Sequence, residues 1–355
     1  MKDSCSSSAI VVHGSRRLAA VTIDGYNAEL RAGKGFIGDR ASTGAFREIL
    51  EKGRERLREV GDDPLGTKPT EDLSKKKLDK TLMEGDPEAA GVIHGAIEEF
   101  AAELAKVTAR FLRLKAWRRI KRVVVGGGLR GSRTGELAIG RASVLIKDAG
   151  HDVRLEPIHH HPDEAGLIGA VHLVPGWMFT GHDAILALDI GGSNLRAGIV
   201  ALRLAKAPDF SLSAVHESEL WRYADEDTKP SREDLVLRIG QMLNHCVRQA
   251  AKDDLTLAPF VGVGCPGVIS QDGSIQRGGQ NLPGNWESSR FNLPAQIREQ
   301  LPTIGDHETT VVMHNDAVIQ GLSEIPFIRA VKHWGVLTIG TGLGNAAFTN
   351  IGDSP

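Results

Sequence analysis

Hydrophobic residues along this chain follow two patterns. Some form short, nearly unbroken apolar runs that end in glycine- or asparagine-bearing turns, the mark of buried strands. Others recur every three or four positions, the mark of helices with one buried face. In the first half, Ile10–His13 and Leu18–Ile23 predict short strands, and Ala45–Val60 predicts a charged helix. Asp62–Lys80 is polar and carries prolines, so it reads as a connector. Its run Lys75-Lys76-Lys77 reads as a solvated face. Asp86-Pro87 is a helix start, because aspartate caps free N–H groups and proline suits the first turn. Ile93, Ile97, Phe100, Leu104, Val107 and Phe111 then mark one face of a long helix. A strand at Arg122–Val125 runs into Gly126-Gly127-Gly128, followed by a helix near Thr134–Ala149, a strand near Val153–Ile158 and a helix over Pro162–Leu173.

Pro175–Asp183 reads as a linker, so the pattern divides the chain into residues 1–178 and 179–355. Beyond it come a strand, a turn at Gly191–Asn194, a second strand through Ile199–Leu202, and a third near Ser211–His216. An amphipathic helix covers Arg232–Ala251. Strands at Phe260–Val263 and Thr310–His314 enter Gly264-Cys265-Pro266-Gly267 and Asn315-Asp316. Alternating strands and helices predict α/β architecture.

Composition narrows the function classes. The 355 residues are 41% hydrophobic and 25% charged, with net charge -2, which disfavours a nucleic-acid partner. No apolar run is long enough to span a membrane. Met1 to Ser8 lacks the basic flank and apolar core of a signal peptide. Cys5, Cys246 and Cys265 have neither metal-ligand nor disulfide spacing, so a reducing, cytoplasmic setting is expected.

Two glycine turns carry the candidate chemistry: Asp189-Ile190-Gly191-Gly192-Ser193-Asn194 and Gly340-Thr341-Gly342-Leu343-Gly344. Each sits between apolar runs. Residues without a Cβ let backbone N–H groups approach phosphate oxygens, so such turns can hold a polyphosphate. Two ordinary hairpins would look the same. Thr341 could add a hydroxyl donor. Asp189, ending its strand, is the candidate to orient a hydrated Mg²⁺. Asp316 ends another strand and is the candidate base for a hydroxyl nucleophile; a helix-capping aspartate is the local alternative. Gly264–Gly267 and Asn281-Leu282-Pro283-Gly284-Asn285-Trp286 are candidate substrate loops. Trp286 suits a sugar face, a lid or the core. The Cys265 thiol has no base nearby in sequence and reads as packed. Consecutive His159-His160-His161 point in different directions and are not expected to bind one ion.

Together these motifs resemble the ROK family of sugar kinases in the actin-like ATPase superfamily. Asp189–Asn194 is similar to the family's first phosphate motif, with Ser193 for the usual threonine. Gly264–Gly267 resembles its G-x-P-G loop, Asn281-Leu282 with Trp286 its sugar loop, Asn315-Asp316-Ala317 its N-D-A segment, and Gly340–Gly344 its second phosphate motif. The order differs: Asp86–Leu173, with its G-G-G turn, resembles the family's later lobe yet comes first. The family's zinc cysteines and G-E-x-G-H motif are absent, so no zinc site is expected. The resemblance implies a two-lobed actin-like (ribonuclease H-like) α/β fold, circularly permuted. Residues 1–178 would be the adenosine-side lobe, and 179–355 would carry the phosphate turns, sugar loop and catalytic Asp. It implies ATP-dependent phosphorylation of a glucose-like hexose at the 6-hydroxyl, with Asp316 as base. Gly267, Asn281, Asn315, Asp316 and Glu29 would bind sugar. Asp189, Gly191, Gly192, Ser193, Asn194, Gly340, Thr341, Gly342, Gly344, Gly127 and Gly128 would bind ATP, with Mg²⁺ held by Asp189 through water. A homodimer is an admissible assembly. The competing readings are a non-catalytic sugar- or nucleotide-binding regulator and a sugar-independent ATPase.

Overall fold

A computed structural model describes residues 12–352 apart from 34 and 280. Cys5, Met1–Ser8 and the start of the strand expected at Ile10–His13 lie outside the described residues. Among these residues, ten strands of four residues or more form two five-stranded sheets. In chain order they are β1 (Val21–Tyr26), β2 (Arg122–Gly126), β3 (Arg154–Pro157), β4 (Ala184–Ile190), β5 (Leu195–Ala201), β6 (Ala214–Trp221), β7 (Leu257–Cys265), β8 (Thr310–Asn315), β9 (His333–Ile339) and β10 (Leu343–Asn350). The main helices are α1 (Thr43–Arg58), α2 (Lys75–Glu84), α3 (Pro87–Phe111), α4 (Arg133–Asp148), α5 (Pro162–Ile168), α6 (Arg232–Lys252), α7 (Leu293–Gln300) and α8 (Asp316–Leu322).

The first sheet runs β1-β10-β9-β2-β3, and the second β8-β7-β4-β5-β6. Both share one plan. A hairpin (β9/β10 or β4/β5) takes a third antiparallel strand on one side and two parallel strands on the other. In the second sheet these strands are consecutive. The first sheet draws on both halves of the chain: β10 lies against β1, and Ile351 N–H donates to the Ala20 carbonyl at 2.9 Å.

This topology corrects the division expected at residue 178. β9 and β10 follow the second sheet in sequence yet pair with β2 and β1, so 179–355 is not one lobe. Pro175–Asp183 is not a free linker either. It forms a short 3-10 turn whose Phe179 is fully buried between Phe210 and Phe260.

Three cores give five layers. Helices α1–α4 cover one face of the first sheet, with Phe46, Phe100, Leu104, Val123, Val125 and Leu337 between them. Helices α5 and α8 lie between the sheets, in a core that includes Val124, Leu167, Val318, Val336 and Ala187. Helices α6 and α7 close the far side, with Leu188, Ile239, Leu243 and Ile297. The middle layer is tight because small residues line its crossings. A Cβ added at Gly169 would lie 1.8 Å from the Ile319 carbonyl oxygen, and one at Gly262 would lie 2.6 Å from the Ala170 Cβ.

The periodic face predicted for α3 is buried throughout, and Asp86 caps that helix by accepting from Glu88 and Ala89 N–H. Helix α2 was not expected. Ser74 caps it, and Leu78, Thr81 and Leu82 bury against neighbouring helices, so tertiary contact outweighs the polar, lysine-rich composition. Lys75 is not merely solvated: its Nζ donates to the Gly128 carbonyl at 2.6 Å.

Candidate active site

The two glycine turns line one cleft of about 710 Å³. The first closes with Gly191 N–H donating to the Asn194 carbonyl at 2.8 Å, between the paired Ile190 and Leu195. The second is one residue shorter: Gly340 N–H donates to the Gly342 carbonyl at 2.9 Å, between Ile339 and Leu343. Ser193 Oγ and Thr341 Oγ1 lie 3.2 Å apart, so the turns touch. Close approach is built in. A Cβ at Gly344 would lie 2.2 Å from Thr338 Oγ1, and one at Gly127 (φ +84°) would lie 2.3 Å from the Ile339 carbonyl oxygen.

Asp316 is the first residue of α8 and lines this cleft. The capping role belongs to Asn315, whose Oδ1 accepts from Ala317 and Val318 N–H. Asp316 is partly buried, and burial raises its carboxyl pKa to about 7, with the nearby Asp189 carboxylate adding to the rise. Asp189 is raised to about 6, also chiefly by burial; Arg196, its cross-strand partner, pulls it back down. The carboxylates converge because Gly264 and Gly166 leave them room. A Cβ at Gly264 would lie 3.3 Å from Asp189 Oδ1 and 3.7 Å from the Asp316 Cα. One at Gly166 would lie 2.5 Å from Asp189 Oδ2.

Of the other expected residues, Gly191, Gly192, Ser193, Asn194, Gly340, Thr341, Gly342, Gly344, Gly127, Gly128, Gly267, Asn281 and Glu29 line the same cleft. Asn281 packs on the first turn, where a Cβ at Gly192 would meet the Asn281 Cβ at 3.2 Å. Asn315 does not line the cleft. It is 2% exposed, and its Nδ2 donates to the Gly267 carbonyl at 3.1 Å, so it braces the G-x-P-G loop from beneath. Trp286 is a core residue rather than a sugar face: it is buried, its Nε1 donates to the Pro283 carbonyl, and its ring packs edge-on against Phe291. The Cys265 thiol is buried and pushed well up by burial, then by Asp316 and Asp189, which suits packing rather than nucleophilic attack. His159 and His160 pack edge-to-face on each other and both pack against Phe327, while His161 points away to cap α5.

Several residues in or behind the cleft carry no signal in the sequence. Tyr223 OH donates to the Gly191 carbonyl, anchoring the first turn. Asn345 clamps the Asn27–Glu29 segment onto β10: its Oδ1 accepts from Ala28 N–H at 3.0 Å, and its Nδ2 donates to the Ala28 carbonyl at 3.1 Å. Arg196 binds Asp163. These partners are distant in sequence or lie across a hairpin, and no local pattern marks them.

No family model matches the chain. A glucokinase from Thermotoga maritima is 26% identical over 170 residues, which cover 47% of this chain and 44% of the relative. The chain is similar to this glucokinase over part of its length. It thus matches less than half the length of this curated relative. Among solved structures, one from Cytophaga hutchinsonii assigned as a sugar kinase aligns with TM-score 0.34 and 20% identity over 47% of this chain and 48% of its own. A ROK hexokinase from Thermus thermophilus aligns with TM-score 0.26 and 18% identity, over 38% and 35%.

Among the described residues, no three His, Cys, Asp or Glu side chains converge on one metal position. The Asp189 carboxylate nonetheless adds to the proton affinity of Asp316, as Asp163 does to that of Asp189. The pair of Asp189 and Asp316 fits a hydrated Mg²⁺ better than a zinc site, which takes three or four protein ligands and draws mostly on histidine and cysteine. No helix of the described residues is long and apolar enough to cross a membrane.

Proposed function

We propose that the protein is an ATP-dependent kinase of a hexose hydroxyl, with Asp316 as general base. The observation that carries this reading is the convergence of both glycine turns and the Asp316 carboxylate on one cleft. A carboxyl with a pKa near 7 is suited to the task, since proton transfer is most effective when acceptor pKa and working pH are close. The turns would hold the phosphates through backbone N–H groups and the Ser193 and Thr341 hydroxyls. Asn281, Glu29 and the backbone of Gly267 would orient the sugar. Asn315 would position that loop without touching substrate.

The reaction balances simply. The sugar hydroxyl, that of carbon 6 in a glucose-like substrate, gives its proton to Asp316. Its oxygen forms a bond to the γ-phosphorus as the bond to the β,γ-bridging oxygen breaks, and ADP leaves. Mg²⁺, held near Asp189 through water, would supply charge neutralisation at the phosphate oxygens. We also read the strand order as that of a ROK kinase whose lobes are joined in permuted order, because the first sheet's strands become consecutive if β10 is followed by β1.

A coupled assay of ADP formation across a panel of hexoses tests the reading. Sugar-dependent ADP formation that falls by about 10²–10⁴-fold in Asp316→Asn is the expected result. Hexose and nucleotide binding without ADP formation would make the protein a binding module. ATP turnover indifferent to sugar would make it an ATPase.

A further inference from the structure

The charges around the cleft do not balance. Glu29, Asp39, Asp163, Asp189 and Asp316 line it, against Arg47 and Arg196, with the Lys75 ammonium at its edge on the Gly128 carbonyl. Arg196 is already committed: its Nη2 lies 2.9 Å from Asp163 Oδ1, and its Nη1 donates to the Asp163 carbonyl at 2.8 Å. Arg47 makes one hydrogen bond among the described residues, from Nη1 to the exposed Glu71 carbonyl at 2.8 Å, and is ion-paired with no carboxylate there. Its neighbour on α1, Arg54, shows the contrast. Arg54 is fully buried and bound to Asp63, Thr70 and the carbonyls of Gly66 and Lys68.

Arg47 is also placed along the axis of the cleft. Helix α1 begins at the second glycine turn, where Thr43 N–H donates to the Gly340 carbonyl at 3.0 Å. Four residues of helix carry the chain roughly 6 Å onward, on the same face. Thr43, Gly44 and Arg47 all line the cleft, as do Gly127 and Gly128. A polyphosphate whose last phosphoryl group lies between the turns, near Asp316, would extend along α1 to this guanidinium.

We propose that Arg47 binds the α-phosphate, the one next to the nucleoside, of the nucleotide. The inference rests on the ATP site proposed above. A polyanion entering a cleft with three more carboxylates than guanidinium groups meets repulsion that Arg196, occupied by Asp163, does little to relieve. Arg47 supplies a permanently charged, planar set of N–H donors matched to phosphate oxygens. It gives up only a carbonyl contact at the surface to do so.

Displacement titrations of ADP with Mg²⁺, of AMP and of adenosine against wild type, Arg47→Ala and Arg47→Lys test this. Arg47→Ala should weaken ADP and AMP by about 10–100-fold, the range for hydrogen bonds to charged groups, and leave adenosine within about two-fold. Arg47→Lys should retain part of the affinity. Unchanged ADP affinity in Arg47→Ala overturns the proposal. So does an equal loss for adenosine, which would mean that α1 had shifted rather than that a phosphate contact had gone. The kinase reading fails separately, if wild type binds ADP in this way but transfers no phosphoryl group to any hexose. If wild type binds no ADP, both fail.

Discussion

Replacing Asp316 by asparagine should make the protein more stable at alkaline pH while it slows phosphoryl transfer by about 10²–10⁴-fold. The carboxyl lies above its ordinary value of 3.8, at about 7, because burial and the Asp189 charge disfavour ionisation. The sign follows from linkage. A carboxyl with a raised folded-state pKa favours folding fully below about pH 4, where both states hold the proton, and that advantage is lost as pH rises to about 7. Above that, the folded protein carries an ionised group it would rather keep neutral. At about 1.4 kcal/mol per pH unit, the rise corresponds to roughly 4 kcal/mol as an upper bound. Asp316 is partly exposed in an open cleft, so solvent screening leaves about 1–2 kcal/mol. The asparagine keeps the shape and loses the charge. Urea denaturation at about pH 4 and about pH 8 should therefore show Asp316→Asn gaining about 1–2 kcal/mol on wild type between the two. Equal differences at both pH values, or a variant that loses ground at the higher one, would refute the assignment of a strained carboxylate.

Other outcomes follow from the same geometry. Asp189→Asn removes the charge that helps hold Asp316 up, so the acid limb of the rate profile should move to lower pH. Arg196→Met should raise the Asp189 pKa further, and a backbone-independent probe such as carboxyl NMR shifts would read the change directly. Asn315→Ala loses both the α8 cap and the brace on Gly267; about 1–2 kcal/mol in urea melts and a raised hexose KM are expected, and Asn315→Asp, which keeps the cap acceptor but loses the donor to Gly267 and buries a charge, should not recover the stability. Gly169→Ala drives a methyl group into the Ile319 carbonyl, so a loss of more than about 3 kcal/mol, or no soluble protein, is expected. Normal melting of that variant would contradict the packing described for the middle layer.

Much of the fold was legible in the sequence because its signals are local. The face of α3 repeats with helical period, Asp86-Pro87 announces its start, and both glycine turns separate apolar runs. The misreadings share a cause. Helix α2 has a polar sequence and is held by Leu78 and Leu82 against neighbours. Pro175–Asp183 carries turn residues like a linker, yet Phe179 pins it into the core. Trp286 and Asn315 are residue types that suit a binding site, but burial assigns them to support.

By itself, then, the sequence determined the strands, helices and turns, since hydrophobic period, caps and glycines act within a few residues. It also supplied the residues whose chemistry suits phosphoryl transfer. Only the tertiary structure decided which of them meet. Pairing of β9 with β2 and of β10 with β1 joins segments from opposite ends of the described chain. The α5–α8 layer then buries the Asp316 carboxyl and sets Asp189 close enough to raise its proton affinity further. That shift is a property of burial and distance, and neither is encoded within any one segment.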